Sequence, residues 1–146
     1  MHLLDASAIA MLLKKKREKA AELLKNEHTT NLAGYELGNI IWKEHALRNA
    51  ISLQEAVDKA KHIAKLLKIM KILKIEADED YAKAIELASK HRLTFYDAAY
   101  AYLAEKHKLT LVTEDTELRE KANTANIKAI PTDKFIQNRK QQPLRS

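Results

Sequence analysis

Short apolar runs alternate along this chain with longer stretches of helical spacing, and that alternation leaves few architectures open. His2 to Leu4 reads as a short buried strand ending at Asp5. From about Ser7 to Lys25, Ile9, Leu12, Leu13, Ala20, Leu23 and Leu24 fall at helical spacing. Thr29 to Leu32 reads as a second strand, followed by a helix from Ala33 to about Arg48 with Leu37, Ile40 and Ile41 on its apolar stripe. Ser52-Leu-Gln-Glu55 is a capping box, in which the serine oxygen and the glutamate carboxylate each satisfy a free backbone N–H. The helix it opens carries Leu53, Ala56, Val57, Ala60, Ile63, Ala64 and Leu67 along one face. A strand is expected near the end of Ile69–Ile75, then a helix capped by Asp78 and another from Thr94 to Lys108. A strand at Leu109–Val112, a short helix opened by Asp115 and a last strand at Ile127–Ile130 complete the order. Strands that alternate with amphipathic helices imply an α/β fold, a mostly parallel sheet covered by helices. In such sheets ligands bind beyond the carboxyl ends of the strands, so the acids found there matter most.

A length of 146 residues suits one compact domain and is short for two. We expect that domain to span residues 1–137, with 138–146 as a basic, flexible tail. Lys and Arg outnumber Asp and Glu by 26 to 20, a formal charge of +6 that suits a polyanionic partner as well as a plain lysine-rich surface. Cysteine is absent, which excludes disulfides and thiolate metal sites and agrees with a reducing compartment. No run approaches the roughly 20 apolar residues of a membrane helix, and Met1 to Asp5 lacks the basic and long apolar regions of a signal peptide. A cytoplasmic location is therefore expected.

Acids stand at suggestive places. Asp5 follows the first strand directly, and Asp115 lies just past Leu109–Val112. Asp97 falls in the first turn of a helix, where the dipole favours an anion, and Glu36 sits early on its own helix. Each has a plainer explanation. Asp5 and Asp115 fit as N-caps, Thr94-Phe-Tyr-Asp97 fits a variant capping box, and Glu36 fits a solvated helix position. The chain's two glycines, Gly34 and Gly38, flank Glu36 inside its helix. Glycine there costs roughly 1 kcal/mol relative to alanine, which suggests either a close backbone approach holding Glu36 inside or simple helix packing. Carboxylates brought within about 4–6 Å repel, and must hold protons or cations. Hard oxygen clusters of that kind take Mg2+ or Mn2+, and such ions serve phosphoryl chemistry.

Four segments carry a family resemblance. They are Leu3-Leu-Asp-Ala-Ser7, Tyr35-Glu-Leu-Gly-Asn39, Leu93-Thr-Phe-Tyr-Asp-Ala-Ala-Tyr100 and Val112-Thr-Glu-Asp115, in that order. With them the chain resembles the PIN-domain nucleases, and most closely the VapC-type toxins of prokaryotic toxin–antitoxin pairs, to about Phe135. The resemblance implies a three-layer α/β/α sandwich and an endoribonuclease dependent on Mg2+ or Mn2+. It implies that Asp5, Glu36, Asp97 and Asp115 bind the metal, and that Ser7 supports Asp5. Asn39 helps position the site, and Thr113 matches the small hydroxyl residue before the fourth acid. Glu114 and Glu117 flank Asp115 and compete for its role. A homodimer, an RNA substrate and an antitoxin covering the active-site groove are also implied. A PIN nuclease for RNA maturation and a catalytically inactive PIN-fold binding module are the alternatives.

Other features point elsewhere or nowhere. Lys14, Lys15, Lys16, Arg17 and Lys19 wrap around a helix rather than forming a stripe, which favours a solvated surface. Trp42, with Ile41 and Tyr35, fits either a partner groove or, as the favoured role, the core, and Tyr96 and Tyr100 are expected either to stack on bases or to pack. The six histidines form no His-Glu-x-x-His arrangement, and two glycines cannot build a phosphate loop.

Overall fold

The computed structural model describes residues 1–141. Five short strands form one sheet: β1 (His2–Leu4), β2 (His28–Thr30), β3 (Lys71–Leu73), β4 (Thr110–Val112) and β5 (Ala129–Ile130). Their order is β3-β2-β1-β4-β5, and every pairing is parallel. The chain builds outward from β1 in one direction through β2 and β3, then in the other through β4 and β5. The reversal between β1 and β4 is a topological switch point, where α/β sheets open a crevice at their carboxyl edge.

Among the described residues, eight α-helices cover the sheet: α1 (Ala6–Lys16), α2 (Ala20–Leu24), α3 (Leu32–Trp42), α4 (Leu53–Lys68), α5 (Asp78–His91), α6 (Phe95–Lys106), α7 (Thr116–Thr124) and α8 (Thr132–Lys140). Strand alternation sorts the core into two halves. Leu3 and its register partner Leu111 face one side, with Tyr100, Leu103, Leu118 and Ile127. Leu4 and its partner Val112 face the other, with Ile9, Leu12, Leu37, Leu66 and Phe135. Both sheet faces are therefore buried under helices, which is the three-layer α/β/α sandwich.

Several local details depart from the sequence reading. The expected first long helix breaks at Arg17, whose φ of 40° starts a 3-10 turn at Arg17–Lys19 before α2. The break redirects the chain so that Ala20 and Leu24 are fully buried. The helix after β2 closes as a π turn over Lys43–Leu47. The capping box forms as read, with Glu55 N–H donating to Ser52 Oγ and Ser52 N–H donating to Glu55 Oε1, both at 3.1 Å. At α5 the carboxylate that closes the helix start is Asp80, not Asp78: it accepts from the N–H groups of Ala77 and Glu76. Only Ala56, Ile63 and Leu66 of α4 are buried, while Leu53 and Val57 lie open. Trp42 is half exposed, at 51%, rather than in the core. No backbone crowds the glycines either. A Cβ on Gly34 would touch the Leu67 side chain at 3.4 Å, and one on Gly38 would meet nothing within 4 Å.

The sheet's opposite edge holds a buried ion cluster that the sequence did not announce. Glu27, wholly buried, accepts from His2 N–H at 3.0 Å, and its other oxygen lies 2.9 Å from His2 Nδ1. Arg139 of α8 reaches the same oxygen at 3.4 Å, tying the C-terminal helix to the first strand. Asn138, Arg139 and Lys140, the start of the expected tail, belong to α8, and residues 142–146 lie outside the described residues.

Candidate active site

The turn after β1 places Asp5 as the N-cap of α1. Its Oδ1 accepts from Ala8 N–H at 2.9 Å and from Ser7 Oγ at 2.7 Å, and the residue is 7% exposed. The equivalent turn after β4 places Asp115 as the N-cap of α7, where Oδ1 accepts from Leu118 N–H at 3.1 Å. The capping explanation for both residues is thus correct, and it occupies one oxygen of each.

Ser7 and Thr113 stitch the two turns together. Their hydroxyls lie 3.3 Å apart, Ser7 Oγ accepts from Glu114 N–H at 3.0 Å, and Thr113 Oγ1 accepts from Asp115 N–H at 3.1 Å. Asp5 N–H also donates to the carbonyl of Val112 at 3.1 Å, extending the sheet into the turns. Small hydroxyl residues suit these positions because each must accept and donate within a tight backbone.

The other two acids come from helices. Glu36 sits in the second turn of α3, and its Oε1 accepts from the Tyr100 hydroxyl at 2.8 Å. Asp97 lies in the first turn of α6, where its N–H donates to the Thr94 cap at 3.1 Å. Asp5, Glu36, Asp97 and Asp115 all line one cleft of about 300 Å³, together with Ala6, Ser7, Asn39, Ile40 and Tyr100. Thr113 lies behind that lining, wholly buried.

The flanking glutamates are engaged elsewhere. Glu114 turns its Oε2 to the N–H of Thr132, at the start of α8, at 3.0 Å. Glu117 pairs with Lys121 at 2.7 Å, although its charge still reaches Asp97. Tyr100 is the residue that sequence reasoning underused, since stacking or packing were the roles considered. A usable signal existed: a tyrosine inside an alanine-rich buried helix needs a partner for its hydroxyl.

Electrostatically the cleft is a place where negative charge is costly. Burial pushes the Asp5 carboxyl up, against hydrogen bonds from Ser7, Thr113 and Ala8, and the Asp115 charge adds to the rise. Burial also raises Glu36, opposed by the Tyr100 hydroxyl and reinforced by Asp5 and Asp97. Asp97 is raised by burial and then by the charges of Asp115 and Asp5. These couplings link all four acids to one another. The donor set, all carboxylate oxygen with an amide and a hydroxyl beside it, matches the preference of Mg2+ or Mn2+, and a divalent cation would relieve the mutual repulsion. Among the described residues, no three acidic or imidazole side chains stand in a closed metal-binding arrangement. The carboxylates of Asp5, Glu36 and Asp115 each accept hydrogen bonds of their own.

A family model for the PIN domain matches residues 2–123, a span containing all four acids. Ribonuclease VapC3 of Pyrobaculum aerophilum is 40% identical over 123 residues, covering 80% of this chain and 91% of its own length. Exonuclease VapC9 of the same organism is 37% identical over 130 residues, covering 85% and 87%. The crystal structure of a further Pyrobaculum aerophilum protein superposes with a TM-score of 0.78 at 30% identity, over 96% of both chains. A chain of a toxin–antitoxin complex from Klebsiella pneumoniae shares the fold, with a TM-score of 0.57 at 20% identity over 82% of this chain and 90% of that one.

Proposed function

The chain belongs to the PIN-domain family, in its VapC branch, and from that premise we propose that it is a metal-dependent endoribonuclease and the toxin of a toxin–antitoxin pair. The observation that carries the reading is the meeting of four acids, from four separate elements, in one cleft at the carboxyl edge of the sheet. Asp5, Glu36, Asp97 and Asp115 would hold Mg2+ or Mn2+, which supplies an activated water and offsets phosphoryl charge. Ser7 fixes the Asp5 carboxylate, and Thr113 fixes the backbone that delivers Asp115. Asn39, one turn past Glu36 on the cleft wall, offers an amide to a substrate phosphate or to the metal's water.

The basic balance of the chain favours RNA as a polyanionic substrate. The two Pyrobaculum relatives carry names that differ in the reaction, ribonuclease against exonuclease. A circular RNA separates the two modes, because an enzyme that needs an end leaves it intact. Tyr35, Trp42, Leu47 and Leu53, on and after α3, are exposed apolar side chains of the kind an antitoxin would cover. We retain the homodimer and a single nuclease domain as parts of the same proposal, the domain running through α8 to Lys140. Among the described residues, no helix is long and apolar enough to cross a membrane.

The test is cleavage of linear and circular RNA with Mg2+ or Mn2+, with and without chelator, by the native chain and Asp5→Asn. Cleavage of both substrates, lost with chelator and in Asp5→Asn, is expected. Chelator-insensitive cleavage, or full activity of Asp5→Asn, contradicts the proposal. Growth arrest on expression, relieved by an adjacent gene product, separates a toxin from an RNA-maturation enzyme.

A further inference from the structure

Tyr100 is 1% exposed, on a stretch of α6 where Ala98, Ala99, Ala101, Leu103 and Ala104 are also buried. Phenylalanine would fill the same space, so the hydroxyl is what needs explaining. It donates to Glu36 Oε1 at 2.8 Å, across the cleft from α6 to α3. A carboxylate can only accept, so the phenol is the donor. In the low-dielectric setting of the buried ring such a bond is strengthened.

Asp97 and Tyr100 are three residues apart on α6, hence on one face. One helix therefore brings both an acid of the cleft and the group that grips an acid opposite. We propose that Tyr100 is a positioning residue for the metal-dependent reaction: it holds Glu36 by Oε1, leaving Oε2 for the cation that the acids of the cleft would hold. This inference rests on the reading of the cleft as a metal-dependent nuclease site.

The experiment is calorimetric titration of the full chain with Mn2+ at neutral pH, without RNA. Native protein, Tyr100→Phe, Glu36→Gln and the double variant are compared. Tyr100→Phe keeps the ring and is expected to weaken Mn2+ binding by roughly 10–100-fold, the usual effect of removing a group that orients a metal ligand. Because the hydroxyl acts through Glu36, adding Tyr100→Phe to Glu36→Gln is expected to change the affinity by less than about threefold. In cleavage assays the half-activating Mn2+ concentration rises with the loss in affinity, while the rate at saturating Mn2+ falls less. Unchanged Mn2+ affinity in Tyr100→Phe, or an equal loss with and without Glu36, overturns the proposal and leaves the nuclease reading standing. A native chain that binds no Mn2+ overturns both. Should Tyr100→Phe not fold, Tyr100→Met fills the buried site with a flexible apolar side chain that also lacks the hydroxyl. Weaker Mn2+ binding by that variant supports the proposal, and native affinity in it overturns the proposal.

Discussion

Replacing Asp5 by asparagine is expected to leave the protein at least as stable as the native chain, although it removes a central acid of the cleft. Asp5 does two separable jobs. As the N-cap of α1 it accepts from Ala8 N–H at 2.9 Å and from Ser7 Oγ at 2.7 Å, both through Oδ1. Asparagine presents the same oxygen and caps as well as aspartate. As a buried charge facing Asp115 it is penalised, which is why its carboxyl is raised. Asparagine carries no such charge. Alanine removes the penalty too, but it forfeits the cap, worth typically about 1 kcal/mol, and leaves the Ser7 hydroxyl without its acceptor. For a chain of this size about 1 kcal/mol corresponds to roughly 3 °C in melting temperature. Thermal melts in chelator should therefore rank Asp5→Asn equal to or above native, and Asp5→Ala about 3 °C or more below Asp5→Asn. Saturating Mn2+ should then raise the native melting temperature by several degrees and move Asp5→Asn much less, since a ligand that binds only the folded chain stabilises it by about 2.7 kcal/mol at a hundred times its Kd. If Asp5→Asn melts as low as Asp5→Ala, the carboxylate charge is stabilising where it sits, and the reasoning about the cleft is wrong.

Three further outcomes are expected. Glu27→Ala strips the acceptor from His2 and Arg139, and breaking a buried ion cluster on one side costs about 3–5 kcal/mol, so denaturant unfolding should show a fall of that size. Gly38→Ala should stabilise the chain by about 1 kcal/mol, because a Cβ there meets nothing within 4 Å; a destabilised variant in the same assay refutes this. Lys106 and Tyr102, with the N–H groups of Ala77 and Glu76, hold the Asp80 carboxyl well below the usual carboxylate range. Its stabilising contribution is therefore complete above its unfolded value of about 4 and is lost as the pH falls below that. Asp80→Asn should flatten the acid limb of the stability curve below about pH 4, and an unaltered limb excludes the assignment.

Strand and helix order through β5 was legible, because apolar runs and 3.6-residue stripes alternate along the chain, whereas α8 was not expected. The Ser52–Glu55 box shows how far local chemistry reaches, since both of its bonds formed as read. Three of the four acids stood out for the same reason: Asp5 and Asp115 follow strands, and Asp97 follows a threonine cap. What the sequence could not convey was long range. Nothing near Tyr100 points to Glu36, and nothing near Glu27 points to His2 or Arg139, because those pairings exist only once the sheet has closed. Gly34 and Gly38 suggested a crowded backbone that is absent. Trp42 carried an apolar side chain to the surface, where apolarity alone does not distinguish a core residue from one that meets a partner.

The most direct measurement is an anomalous difference map from crystals of the native chain grown with Mn2+. A peak is expected in the cleft within direct bonding distance of Asp5 and Asp97, with Glu36 Oε2 turned toward it. Manganese bound only outside the cleft, or carboxylates that keep their present hydrogen-bond partners and ignore the ion, would contradict it.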